Sequence, residues 1–233
     1  MNKLFLLFLL FLNISVAKAD PIKDLYVEIM PEQLRLDYPN ETYKSFKVHL
    51  LDSYKNFPPL ASILNQNIVP FSGVKKVSGN IKYVLIFPKA YKYDVAFENG
   101  EYVFKVRINL KKPTANDVVY FTELVKLAEK EWNDYRIGMD FGYRFQFDIE
   151  PDVKKAHYSV NILNSTRGPY DTNWGRDWDG PTVAHEVGHM MGLGDEYETL
   201  SSTMDCLPDS KMCDQDGYLM KHHYYFILRR LLK

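Results

Sequence analysis

The densest chemistry in the chain lies in one pentapeptide, His185-Glu186-Val187-Gly188-His189. Two histidines four residues apart stand about one turn apart on a helix, so both imidazoles project from one face toward a single point. Two imidazoles aimed at one point are ligands for a divalent metal, and a Glu beside them can take a proton from a water held there. A bare HExxH arises by chance in roughly one chain in a hundred of this length, so its flanks have to decide. A catalytic zinc ion usually has three protein ligands and one open position. Met190-Met191-Gly192-Leu193-Gly194-Asp195 follows His189. Gly192 suits the left-handed turn that ends a helix and reverses the chain, and Asp195 then arrives as the expected third ligand. Glu196 competes with it, one residue on and facing another way. Asp205, Asp209, Asp214 or Asp216 would supply a more distant carboxylate. No Glu follows Glu198, which excludes a ligand Glu far downstream.

This HExxHxxGxxD pattern resembles the signature of the metzincin clan of zinc peptidases, in the snapalysin-like form that carries Asp where most members have His. The next residues, Glu196-Tyr197, make it similar to the Asp-Glu-Tyr of immunoglobulin-A-peptidase-like bacterial enzymes. The resemblance covers about residues 77–233 and is strong only over 182–204. It implies an α+β fold, a zincin (metzincin-like) catalytic domain: a twisted mixed sheet, an active-site HExxH helix, a backing helix and a C-terminal helix. It also implies a methionine turn beneath the metal, for which Met204 is the candidate, its thioether forming an apolar floor under the imidazoles. Some relatives carry a Tyr two residues past that methionine; here the position is Cys206. Tyr197 either orients Asp195, donates to a developing oxyanion or lines the rim. The implied function is a zinc-dependent endopeptidase with His185, His189 and Asp195 on Zn2+ and Glu186 as general base on a metal-activated water. Its substrate would be a protein or peptide, added as an extra strand along an edge strand, here residues 158–163. The alternatives are an exported zinc-stabilised binding protein without turnover, or an aspzincin-type peptidase using one of the distant Asp residues.

Positioning such a site takes a sheet and helices, and their patterns are present. Residues 83–87 and 102–110 read as strands, the second alternating apolar and polar side chains, with Asn99-Gly100 as a hairpin turn between two such runs. Val118, Phe121, Leu124, Val125, Leu127, Ala128 and Trp132 recur at helical spacing, which predicts a backing helix over 116–136. Residues 143–149 and 158–163 alternate again. A loop over 164–180 carries Tyr170, Trp174 and Trp178, which either line the cleft or pack the loop. Residues 216–233 read as a terminal helix with Leu219, Met220, Phe226, Ile227 and Leu231 toward the core. Arg229, Arg230 and Lys233 are expected at its solvated, dipole-favoured end. His222 and His223 are adjacent, so they are expected to point apart and to be structural.

The chain has 233 residues, 46% hydrophobic and 25% charged, with 12 Gly and 12 Pro. That composition excludes a disordered, collagen-like or repeat-built protein. A net charge of -1 excludes the basic footprint of a nucleic-acid binder. Met1-Asn2-Lys3, the apolar run over residues 4–12 and Ala17-Lys18-Ala19 read as a signal peptide over residues 1–19. The run is too short for a membrane span, which needs ~20 residues. The expectation is a secreted or periplasmic protein, without a membrane anchor and monomeric. Residues 20–76 would be a pro-segment or small subdomain and 77–233 the peptidase domain. Export makes a Cys206–Cys213 disulfide the expected state, stabilising by ~2–3 kcal/mol; buried thiols or metal-binding thiolates are the alternatives.

Overall fold

Alternating strands and one long amphipathic helix set the frame. A computed structural model of the chain describes residues 21–29, 32, 36, 70–84, 87–134, 142–165, 172–196 and 209–232. Strands β1 (Val74–Val84), β2 (Phe87–Glu98) and β3 (Glu101–Lys111) run antiparallel in chain order. The β2–β3 turn is Asn99-Gly100, with φ of 53° and 86°. A two-residue turn that follows the twist of its strands needs positive φ at both positions, and Asn-Gly supplies it with little strain.

Helix α2 (Ala115–Asp134) then crosses back, so the next strand enters parallel. β4 (Gly142–Ile149) pairs with β3, and β5 (Tyr158–Leu163) pairs with β3 and with β6 (Asn173–Gly175), all parallel. The result is an α+β arrangement on a six-stranded mixed sheet. The Ile108 carbonyl accepts from Glu150 N and the Arg107 carbonyl from His157 N, both at 2.8 Å. Successive carbonyls along a strand point to opposite edges, so β4 and β5 flank β3 on opposite sides. β2 leaves β3 after the Asp94–Lys105 pair, and β5 takes over the same edge from Ile108. The sheet is therefore forked.

Helices α2, α3 (Gly180–Met190) and α4 (Lys221–Leu228), followed by a 3-10 turn (Arg229–Leu232), pack on one face. Phe145 is the hub of that layer, with ring centroids 5.2 Å from Trp132, 5.3 Å from Phe104 and 5.9 Å from Tyr224. Trp132 is fully buried and donates Nε1–H to the Ala184 carbonyl at 3.0 Å, tying the backing helix to α3. Leu25 and Tyr26 of α1 (Pro21–Ile29) join the same core. By alternation, Lys105, Arg107 and Asn109 point to the other face.

Three expectations need correction, and one left open is decided. Residues 158–163 form a strand, but not an edge: β6 pairs beyond them through Asn161–Asn173 and Leu163–Gly175. Trp174 and Trp178 are buried, their rings 5.6 Å apart with Trp174 against Phe121, so they pack the loop rather than line a cleft. The terminal helix starts at Lys221, because Ser210 and Tyr218 bridge across the preceding turn. Arg229 and Arg230 are buried, not solvated. Arg230 donates to the Met191 and Gly192 carbonyls and stacks 4.3 Å above the Tyr91 ring, so the guanidinium is satisfied where α3 ends. Residues 1–19, which read as a signal peptide, and Tyr170 lie outside the described residues. Among the described residues no helix is long and apolar enough to cross a membrane.

Phe145→Ala should cost about 3–5 kcal/mol, as for a large aromatic removed from a core that cannot collapse. Chemical unfolding measures it, and a loss under about 1 kcal/mol would contradict this packing.

Candidate metal centre

Helix α3 begins with a cap and ends on a glycine. Asp179 Oδ1 accepts from Thr182 N at 2.9 Å and Thr182 Oγ1 at 2.6 Å, and Pro181 occupies the first turn. Gly192 has φ of 88°, and a Cβ there would lie 2.8 Å from both Arg230 Nη2 and the Tyr91 ring. Only glycine makes this reversal, which carries the chain back beneath the helix to Asp195.

The reversal brings three side chains to one point. His185 Nε2 and His189 Nε2 are 3.1 Å apart, and Asp195 Oδ1 lies 3.0 Å from His189 Nε2 and 3.4 Å from His185 Nε2. All three residues are buried. His185 Nδ1 donates to the Lys211 carbonyl at 2.7 Å and His189 Nδ1 to the Leu193 carbonyl at 2.9 Å. A carbonyl only accepts, so in each neutral ring the hydrogen sits on Nδ1 and the Nε2 lone pair faces the other two ligands. Neither Asp195 oxygen receives a hydrogen bond. Three electron-rich atoms at this spacing, out of water, repel unless a cation lies among them. Donors around a tetrahedral ion with bonds of about 2.05 Å stand about 3.3 Å apart, so the observed separations suit one ion. The group could hold a metal ion.

The ionisation states express the same demand. Burial pushes the His185 pKa down, but contact with Asp195 and the charge of Glu186 outweigh it and raise it above the usual imidazole value. Burial pushes Asp195 up, yet positive charge on the two imidazoles, when they are protonated, holds its carboxyl well below the usual range. Glu186 is 2% exposed, and its Oε2 receives no hydrogen bond. It is a carboxylate oxygen with spare accepting capacity beside the cluster.

The next shell holds residues that sequence reasoning missed. Lys211, whose carbonyl orients His185, is itself buried, with Nζ 2.7 Å from Glu131 Oε1 and 2.5 Å from the Gln215 carbonyl. Met212 packs on Gly188, where a Cβ would fall 2.7 Å from its sulfur. Nothing in the spacing marks either one, because a carbonyl ligand leaves no signature in side-chain type. Glu196 turns away from Asp195 and toward α4: its Oε1 lies 2.5 Å from His222 Nε2 and 3.2 Å from His223 Nε2, and Ser210 Oγ donates to its Oε2. His222 and His223 thus converge on one carboxylate instead of pointing apart. Their position at the start of α4, under the 195–196 segment, lets both reach it.

This second buried group differs from the first in its protons. Met220 N–H donates to His223 Nδ1 at 2.8 Å, so the ring hydrogen sits on Nε2 and is given to Glu196. Hydrogens already fill the space between these atoms. Of the remaining expected residues, Asp209, Asp214 and Asp216 are exposed and outside the His185–His189–Asp195 group. Tyr197, Met204, Asp205 and Cys206 lie outside the described residues, and Cys213 carries no free thiol.

Burial first, and then the neighbouring His222 charge, push His223 down to about 4. The unfolded imidazole protonates near 6.5. Between those values the unfolded chain binds the extra proton, so stability should fall as pH drops from about 6.5 to about 4. Urea unfolding across that range should show the slope, and His223→Gln should make it shallower; an unchanged slope would contradict a neutral buried His223. Compared with protein-family models, curated proteins and solved structures, the chain finds no match in any of the three.

Proposed function

We propose that the chain is a zinc-dependent peptidase that hydrolyses peptide bonds at the His185–His189–Asp195 cluster. The observation that carries this is the pairing of two inward Nε2 lone pairs and a buried carboxylate with an adjacent Glu186 oxygen that no donor satisfies. His185, His189 and Asp195 would hold the ion, with their hydrogens tied to the Lys211 and Leu193 carbonyls on the far side of each ring. A bound zinc ion polarises a carbonyl and makes water more acidic.

Glu186 does the proton work. Its Oε2 accepts a proton from a water molecule as the water oxygen bonds to the scissile carbonyl carbon. The same carboxyl then gives that proton to the amine as the carbon–nitrogen bond breaks. Water is consumed across one bond, Glu186 returns to its starting state, and no covalent bond to the protein forms. The HExxHxxGxxD pattern and the Gly192 reversal support a metzincin-like zincin with residues 77–233 as its catalytic part. Zn2+ is the ion that two imidazoles and one carboxylate suit in such a site. The leader pattern of residues 1–19 supports export, and with it a Cys206–Cys213 bridge.

The purified protein should bind one zinc ion per chain and cleave casein or a peptide library, with cleavage lost on chelation and restored by zinc. Glu186→Gln should keep the zinc and lower hydrolysis by about 10²–10⁴-fold, while His185→Ala should lose the metal as well. Full activity in Glu186→Gln would overturn the assignment.

A further inference from the structure

The face of the sheet away from the helices carries a cavity at the fork between β2 and β5. It is open to solvent and offers about 700 Å³, and its lining includes Lys76, Lys92, Asp94, Arg107, Lys154 and His157. The fork explains why it exists. Where β2 departs, the Arg107 backbone N–H loses a strand carbonyl and donates to His157 Nδ1 at 3.0 Å instead. His157 Nε2 lies 3.3 Å from Asp94 Oδ2 and 3.0 Å from Arg107 Nη2. Asp94 also takes Arg107 Nη2 at 2.6 Å, and Arg107 Nε donates to the Lys155 carbonyl at 2.8 Å. Arg107 is therefore fixed at the base of the cavity by a carboxylate that is already spent.

Among the described residues, Lys155 alone of the surrounding lysines pairs with a carboxylate, Asp152 at 3.7 Å, and the Lys92 ammonium lies 5.7 Å from the centre of the Tyr158 ring. In the β1–β2 register Lys76 stands directly opposite Asp94, and Lys92 opposite Ser78, on the same face. The Asp94 carboxylate nevertheless turns to Arg107 and His157. Among the described residues no carboxylate pairs with Lys76, Lys92 or Lys154, whereas Lys105, Lys126 and Arg144 elsewhere on the sheet and its helix each have one. With Lys155 and Glu150 included, five cations line the cavity against two carboxylates, in a chain whose net charge is -1. Like charges around a concave wall repel one another and concentrate anions. A fixed guanidinium charge among several ammonium groups matches the several oxygens of a phosphoryl or sulfuryl group.

We propose that this cavity is an anion site for a ligand bearing a tetrahedral oxyanion, phosphate or sulfate, free or as an ester, independent of the metal cluster on the opposite side of the sheet. The probe is inorganic phosphate, titrated into the full chain by calorimetry at low ionic strength, where charge–charge contacts are least screened. Saturable binding is expected. Lys76→Gln with Lys154→Gln should weaken it about tenfold, and Lys221→Gln, an exposed lysine on α4, should not. Both lysines are exposed, so the double variant should unfold at the wild-type temperature when phosphate is absent. A phosphate monoester binding more tightly than phosphate assigns the oxyanion to a larger ligand, and equal binding assigns the free ion; either upholds the site. No saturation by about 10 mM, unchanged binding in the double variant, or equal binding of succinate would overturn it.

Discussion

Two imidazole lone pairs and a carboxylate are made to face one another in a dry interior, and the rest of the structure follows from holding them there. Left alone, this arrangement is among the least favourable a protein core can contain. It persists because the opposite nitrogen of each imidazole is tied to a main-chain carbonyl, at Lys211 and at Leu193. Those carbonyls fix both the ring orientation and the position of the hydrogen. The chain thereby stores a demand for positive charge at one point.

The elements around the cluster can be read as answers to that demand. Asp179 caps α3 and sets its start; Gly192 ends it and turns Asp195 inward. Arg230 fills the space beside Gly192 and takes up the carbonyls exposed where the helix stops. Trp132 fixes α3 against α2, and Phe145 fixes both helices against the sheet. Glu196, adjacent to Asp195, is drawn the other way by His222 and His223, so the two neighbouring acids are held on separate faces. The two buried His–acid groups look alike by composition and differ in where their hydrogens are. One accepts a main-chain N–H at Nδ1 and is filled by its own protons; the other donates at Nδ1 and leaves lone pairs inside.

Much of this was legible in the chain. The helical spacing of Phe121, Leu124, Val125 and Trp132 located α2 to within two residues, and Asn99-Gly100 located the hairpin. Period-two alternation marked β4 and β5, and HExxH with Gly192 and Asp195 marked the cluster. What stayed hidden depends on partners distant in sequence. Strand order comes from pairing, so alternation alone does not reveal that β6, a three-residue strand, covers the edge of β5. The burial of Arg229 and Arg230 depends on what sits beside the helix end, which charge alone does not report. Adjacent residues on one helix point apart, yet a carboxylate from elsewhere in the chain, Glu196, draws both His222 and His223. Lys211 acts through its carbonyl and leaves no trace in residue type.

X-ray absorption at the zinc edge of the loaded protein addresses the central claim most directly. The account predicts one ion with two imidazole nitrogens and carboxylate or water oxygens at about 2.0–2.1 Å, and no sulfur in its shell. Failure to retain zinc, or a shell containing thiolate sulfur or only oxygen, would contradict it.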